Sequence, residues 1–83
     1  MEKKIGVVDD FYPKVNVAAF KLDDELTLGD TIHIQGHTTN LMQKVASMKI
    51  DKKDVSNANI GDSVGIKVES KVRKGDIIYK VIG

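Results

Sequence analysis

Apolar and polar residues alternate with a period of two along most of the chain, and no stretch sustains the 3.6-residue period of an amphipathic helix. The clearest case is Ala58 to Val68, where Val64, Ile66 and Val68 fall on one side of a strand and Ser63, Gly65 and Lys67 on the other. Gly61-Asp62 stands directly ahead of that run. Gly29-Asp30 and Gly75-Asp76 likewise precede alternating or β-branched runs, so one device is used three times. Glycine tolerates the positive φ of a tight turn, and the Asp after it accepts hydrogen bonds from nearby amides, fixing where the next strand starts. Gly65 lies inside its strand and predicts a kink or a close backbone approach.

The remaining strands follow from the same pattern. Lys4 to Asp10 reads as a first strand carrying Ile5, Val7 and Val8, and Tyr12-Pro13 as a turn. Val15 to Leu22 forms a second strand, apolar on both faces, and Asp23-Asp24-Glu25 is its hairpin tip. Leu26 to Asp30 links into a third strand, Thr31 to Gln35, with Ile32 and Ile34 facing inward. Gly36 to Asn40 is polar with turn chemistry, which makes His37, Thr38, Thr39 and Asn40 the candidate binding loop. A fourth strand runs from Gln43 to Ile50, Asp51 to Asp54 is a charged bend, and Val55 to Asn59 is irregular. After the basic stretch Lys71 to Lys74, Ile77 to Ile82 closes the series. About six strands with frequent turn signals predict a small antiparallel barrel, with a β-sandwich as the competing architecture.

Length and composition narrow the function classes. Eighty-three residues make one domain, residues 1–83, with a compact core. The absence of cysteine removes disulfides, thiolate metal sites and a thiol nucleophile. No apolar segment approaches the ~20 residues of a membrane span, and the start Met1-Glu2-Lys3-Lys4-Ile5 lacks the apolar block of a secretory signal, so a cytoplasmic protein with no membrane partner is expected. Net charge is only +1, but it is unevenly spread: residues 1–42 carry a balance of −3 and residues 43–83 a balance of +4. Lys44, Lys49, Lys52, Lys53, Lys67, Lys71, Arg73 and Lys74 therefore form the candidate surface for RNA or another partner, with Phe11 and Tyr12 as exposed aromatics and Phe20 and Tyr79 assigned to the core.

The ordered series Leu28-Gly29-Asp30-Thr31-Ile32-His33-Ile34-Gln35-Gly36, then Val45 to Ile50, then Gly61-Asp62-Ser63-Val64-Gly65-Ile66, with Lys74-Gly75-Asp76-Ile77-Ile78 at the end, resembles the second domain of translational GTPases of the elongation factor Tu type. The resemblance covers most of the chain from Leu28 on. It implies a closed Greek-key barrel and a partner that is tRNA, ribosomal RNA or a translation protein. In that family a Glu contacts the terminal adenosine of tRNA; Lys49 stands at its position here, and Lys52 lies near a family Arg.

Catalytic chemistry has little to rest on in the sequence. No phosphate-cradling Gly-x-x-x-x-Gly-Lys-Ser/Thr loop exists, so GTP hydrolysis is not expected, and no ordered motif marks a nucleophile. His33 and His37 would suit a metal only on a helix face, and they fall on a strand and its loop without a third ligand. The expectation is a binding module without enzymatic activity, cofactor or metal. The alternatives are a protein-interaction or oligomerisation domain and an accessory part of a peptidase-like enzyme, since similar barrels occur fused to such proteins.

Overall fold

The computed structural model describes residues 1–83 throughout and contains eleven β-strands and no helix. The first sheet is built from β1 (Glu2–Val7), β5 (Thr31–Gln35), β6 (Asn40–Lys44) and β11 (Ile77–Val81), in the order β1-β11-β5-β6. The second contains β2 (Asp10–Tyr12), β3 (Val17–Lys21), β7 (Met48–Ile50), β8 (Lys53–Asp54) and β10 (Ser63–Lys67), ordered β2-β3-β10-β7-β8. A short third ladder joins β4 (Leu26–Thr27) to β9 (Asn57–Ala58). Every pairing is antiparallel. The fold is small and all-β, and no helix is present that could cross a membrane.

Both main sheets turn their inward positions onto one core. Ile5, Ile32, Ile34 and Ile78 from the first sheet and Ala18, Phe20, Met48, Val64 and Ile66 from the second belong to a single cluster of 16 buried apolar residues. Phe20 is its largest member. Gly6 makes room for it, since a Cβ there would lie 2.7 Å from the Phe20 ring. Both edge strands of the first sheet are also stitched to the ends of inner strands of the second. On one side the Asp23 amide donates to the Ile5 carbonyl at 2.7 Å. On the other, the buried Gln43 side chain donates through Nε2 to the Lys67 carbonyl at 2.9 Å, and its Oε1 accepts the Glu69 amide at 2.7 Å.

The three Gly-Asp pairs are built alike, as their sequence predicts. The amides of Asp30, Asp62 and Asp76 donate to the carbonyls of Thr27, Asn59 and Arg73, each at 3.0 Å. Gly29, Gly61 and Gly75 take φ of +93°, +92° and +94°, the conformation that the third position of a type II turn requires. Each Asp then reaches back with Oδ2 to accept the amide at the start of its own turn, at 2.9, 2.9 and 2.8 Å. The turn is thus closed by main chain and side chain together.

Each closed turn is clasped to the end of the neighbouring strand. The amides of Gly29, Gly61 and Gly75 donate to the carbonyls of Val45, Leu22 and Val8, and the amides of those three residues donate back to the carbonyls of Asp30, Asp62 and Asp76, all at 2.8 to 2.9 Å. Val45, Leu22 and Val8 are buried to within 2%. The strand pairs β5/β6, β10/β3 and β11/β1 are therefore three versions of one unit, in which a Gly-Asp turn opens one strand and a buried apolar residue ends the other.

Several expected elements are differently arranged. Gln43 to Ile50 is not one strand: Gln43 and Val45 point inward, the next inward residue is Met48, and this three-residue step carries the chain from the first sheet to the second. The loop expected over Gly36 to Asn40 is shorter, because Gly36 N donates to Thr39 O at 2.8 Å and Asn40 already belongs to β6. Asp23 to Glu25 is a crossover and not a hairpin tip, held by an ion pair from Lys3 to Asp24 at 2.7 Å and by Lys80 Nζ on the Glu25 carbonyl at 2.8 Å. Val55 to Asn59, read as irregular, contributes β9. Tyr79 is half-exposed on the outer face of the first sheet and does not enter the core, whereas Phe11 is half-buried against it.

The turn construction makes a stability prediction. Gly61→Ala should cost about 1–2 kcal/mol because Ala must adopt positive φ, and Asp62→Ala about 1.5–3 kcal/mol because a charge-assisted acceptor is lost. Ile60→Ala, at an exposed position of the same turn, should stay within about 0.5 kcal/mol of the wild type. Urea unfolding of the three variants checks this ranking; equal effects at all three positions would contradict it.

Candidate functional site

The outer face of the second sheet carries a trough whose floor is set by strand register. Gly65 on β10 lies opposite Ala19 on β3 and, on its other side, opposite Lys49 on β7; Asp10 and Asp54 end the same row on β2 and β8. Reading across the sheet, the outward row is acid, small, small, base, acid. The two small positions leave a depression between bulkier neighbours. Gly65 has no positive φ that would demand glycine, and in a strand centre it costs roughly 0.5–1 kcal/mol relative to Ala. A Cβ there would approach Val17 Cγ1 to 3.1 Å, so the open floor depends on this glycine.

Two hollows meet over that floor, both lined by Lys49 and Gly65. One, of about 510 Å³, is bounded by Tyr12, Asp9, Asp51 and Lys52. The other, of about 330 Å³, is bounded by Val15, Val17, Ser47 and Lys67. Lys67 makes no ion pair, and Lys49 reaches Asp54 only at 4.0 Å with both side chains well exposed, an arrangement that contributes little. Lys52 sits at the tip of the β7–β8 hairpin, where Asp51 and Lys52 take φ of +51° and +67° in a two-residue turn that ordinarily favours Asn-Gly.

The opposite face, on the first sheet, holds a polar cluster around His33. Its Nδ1 lies 3.0 Å from Glu2 Oε1 and its Nε2 lies 2.6 Å from Asn40 Oδ1. Tyr79 packs beside the ring with centroids 6.3 Å apart. Both ring nitrogens face acceptors, an arrangement that the doubly protonated imidazolium satisfies. The Asn40 contact and then the Glu2 contact hold the His33 pKa above its ordinary 6.5. His33 thereby links β1 to the β5–β6 hairpin across β11.

Of the eight basic residues singled out by charge, Lys49, Lys52 and Lys67 line the trough, and Lys44 joins Lys67 at a third hollow of about 370 Å³ beside Gln43. Lys53 is exposed on β8, and Lys71, Arg73 and Lys74 are exposed on the segment leading into β11; none of these four lines a hollow. In the expected binding loop His37 and Thr38 are exposed, Thr39 is buried, and Asn40 is engaged by His33. Residues 29, 30, 61, 62, 75 and 76 serve the turns. Gly65 serves the trough floor. Lys49, Lys52, Lys67, the exposed Tyr12 and the strand glycine at 65 each stood out in the sequence, whereas the roles of Ala19 and Gln43, and the trough that gathers the others, were not legible from the charge pattern.

No protein-family model matches the chain. The chain is 47% identical over 77 residues to part of an uncharacterised protease of Methanocaldococcus jannaschii, an alignment covering 92% of this chain and 19% of that protein. It is 35% identical over 72 residues to part of a collagenase of Porphyromonas gingivalis, covering 84% of this chain and 20% of the collagenase. The chain thus spans about a fifth of the length of these relatives. Among solved structures, the C-terminal domain of a candidate U32 peptidase from Geobacillus thermoleovorans superposes with a TM-score of 0.86 at 17% identity, covering 94% of this chain and 91% of the domain. The fold is that of this peptidase domain.

These similarities overturn the resemblance to translational GTPases and, with it, the expected role in translation and RNA binding. The Gly-Asp turns that suggested it report how a strand is started in a small β-domain, and turn chemistry of that kind is not tied to one activity. They also correct the expectation of a module without enzymatic activity, because the aligned relatives are named protease and collagenase.

The His33 cluster makes a pH prediction. Its pKa is higher folded than unfolded, so its stabilisation is fully present below the unfolded value of about 6.5 and is lost as pH rises through the folded value. The stability difference between wild type and His33→Gln should therefore be largest near about pH 5.5 and shrink by about pH 8.5. Denaturant midpoints measured across that range check it; a difference that grows with pH would contradict it.

Proposed function

We propose that this chain is the accessory β-domain of a polypeptide-cleaving enzyme and that it holds polypeptide for the catalytic part. The observation that carries this reading is the 47% identity over 92% of the chain to a segment making up 19% of a protein named as a protease. The similarity to a segment of a collagenase points the same way and suggests extended or denatured collagen-like chains as the material held. Within this reading the two sheets close into a Greek-key barrel. The hydrogen bonds that stitch both edges of the first sheet, Asp23 to Ile5 on one side and Gln43 to Lys67 and Glu69 on the other, support that closure. A closed barrel offers rigid faces on which a groove keeps its shape.

Removing the matching segment from the Porphyromonas gingivalis collagenase should lower kcat/KM on labelled gelatin at least about tenfold, mainly through KM. A chimaera carrying residues 1–83 in its place should recover most of that loss. Hydrolysis that is unchanged by the deletion, or a folded chimaera no better than the deletion variant, would contradict the proposal.

A further inference from the structure

We infer that the trough on the second sheet is the place where polypeptide is held, and that it accepts an extended segment with a carboxylate side chain. This rests on the accessory-domain reading and adds the site and the chemistry of its ligand. The main chain of the segment lies over Gly65 and Ala19, the two positions of the outward row that have no long side chain. Lys49 is directly opposite Gly65, and Lys67 is two residues further along β10, so the two ammonium groups are diagonal neighbours whose Cα atoms stand about 7–8 Å apart. That spacing lets both reach one carboxylate. Their hollow is lined by no Asp or Glu; Lys67 makes no ion pair, and Lys49 meets only the exposed Asp54 carboxylate of the next strand, at 4.0 Å.

Tyr12, 49% exposed at the far end of the trough, presents a ring for an apolar or ring-bearing side chain of the same segment. The acids lining that hollow, Asp9 beside β2 and Asp51 at the tip of the β7–β8 hairpin, argue against a nucleic-acid strand, whose phosphates recur along its whole length and would meet them. A polypeptide can place its acidic residue at the Lys49 and Lys67 end and a neutral one beside the acids. The positive φ of Lys52 at the rim is a local cost at a position where glycine would be more comfortable, and it places a third ammonium over the trough mouth.

The test uses the 83-residue chain and three fluorescent probes: a Gly-Ser peptide about 12 residues long, long enough to cross the sheet, that carries a single Glu, the same peptide with Lys in place of the Glu, and single-stranded oligothymidylate. Anisotropy should show binding of the Glu peptide in preference to both others. Lys49→Glu and Lys67→Glu, exposed changes that leave thermal unfolding near wild type, should each weaken it at least about tenfold, equivalent to about 1.4 kcal/mol. Gly65→Val should abolish it. Equal binding of the Glu and Lys peptides, wild-type affinity in the folded charge variants, or oligothymidylate binding as well as the Glu peptide would overturn the inference. If the collagenase deletion impairs gelatin hydrolysis while these charge variants still bind normally, the trough is wrong and the accessory role stands. Peptide binding with the predicted variant effects, alongside an inert deletion, would leave the trough standing and remove the accessory role.

Discussion

The clasp between a Gly-Asp turn and a buried apolar residue is the interaction on which the rest of the structure depends. At Gly29-Asp30 with Val45, Gly61-Asp62 with Leu22, and Gly75-Asp76 with Val8, two main-chain hydrogen bonds extend a strand pair by one step. The Asp side chain holds the turn closed from within. Short strands of two to six residues, which have little stability alone, are thereby fixed in register at the ends where they would otherwise fray. The third copy carries an additional constraint: Asp76 is buried, and a Cβ on Gly36 would overlap its carboxylate, so the β5–β6 hairpin tip is packed directly onto the turn that starts β11.

Register fixed in this way is what creates the outer surface. Because Gly65 is held opposite Ala19 and Lys49, a slip of one residue would turn Val64 or Ile66 outward and fill the trough with their side chains. The same logic places His33 between Glu2 and Asn40 on the other sheet. The core asks only that inward positions be apolar and well packed; the outward rows are free to differ, and that freedom is where a binding specificity can be carried.

What could be read from the sequence divides along this line. The three turns were legible because their chemistry is local, a glycine able to take positive φ followed by an acceptor that reaches back three residues. The strands Thr31 to Gln35 and Ser63 to Lys67 were legible because their alternation is clean. Gln43 to Ile50 misled because the alternation of Ala46, Met48 and Ile50 reads as one strand with Val45 on its other face, whereas the adjacent apolar pair Val45-Ala46 marks the corner where the inward phase skips a residue. The ladder of Leu26 with Ala58 was invisible because two-residue strands are set by tertiary pairing and not by pattern. Several lining residues of the trough, Lys49, Lys52, Lys67, Tyr12 and Gly65, stood out singly, but the trough itself was not legible, since Ala19, Gly65 and Lys49 are brought side by side only through register. The family likeness first drawn from the turns failed for a related reason: they specify how a strand begins, and function resides in the rows that the turns hold in place.

The central claim, that three equivalent clasps hold the domain as one cooperative unit, is tested most directly by native-state hydrogen exchange. The amides of Val8, Leu22 and Val45, which donate to Asp76, Asp62 and Asp30, should exchange with closely similar free energies at or near that of global unfolding. Exchange of one of the three amides at a much lower free energy than the other two would show that its clasp opens independently, and would contradict the account.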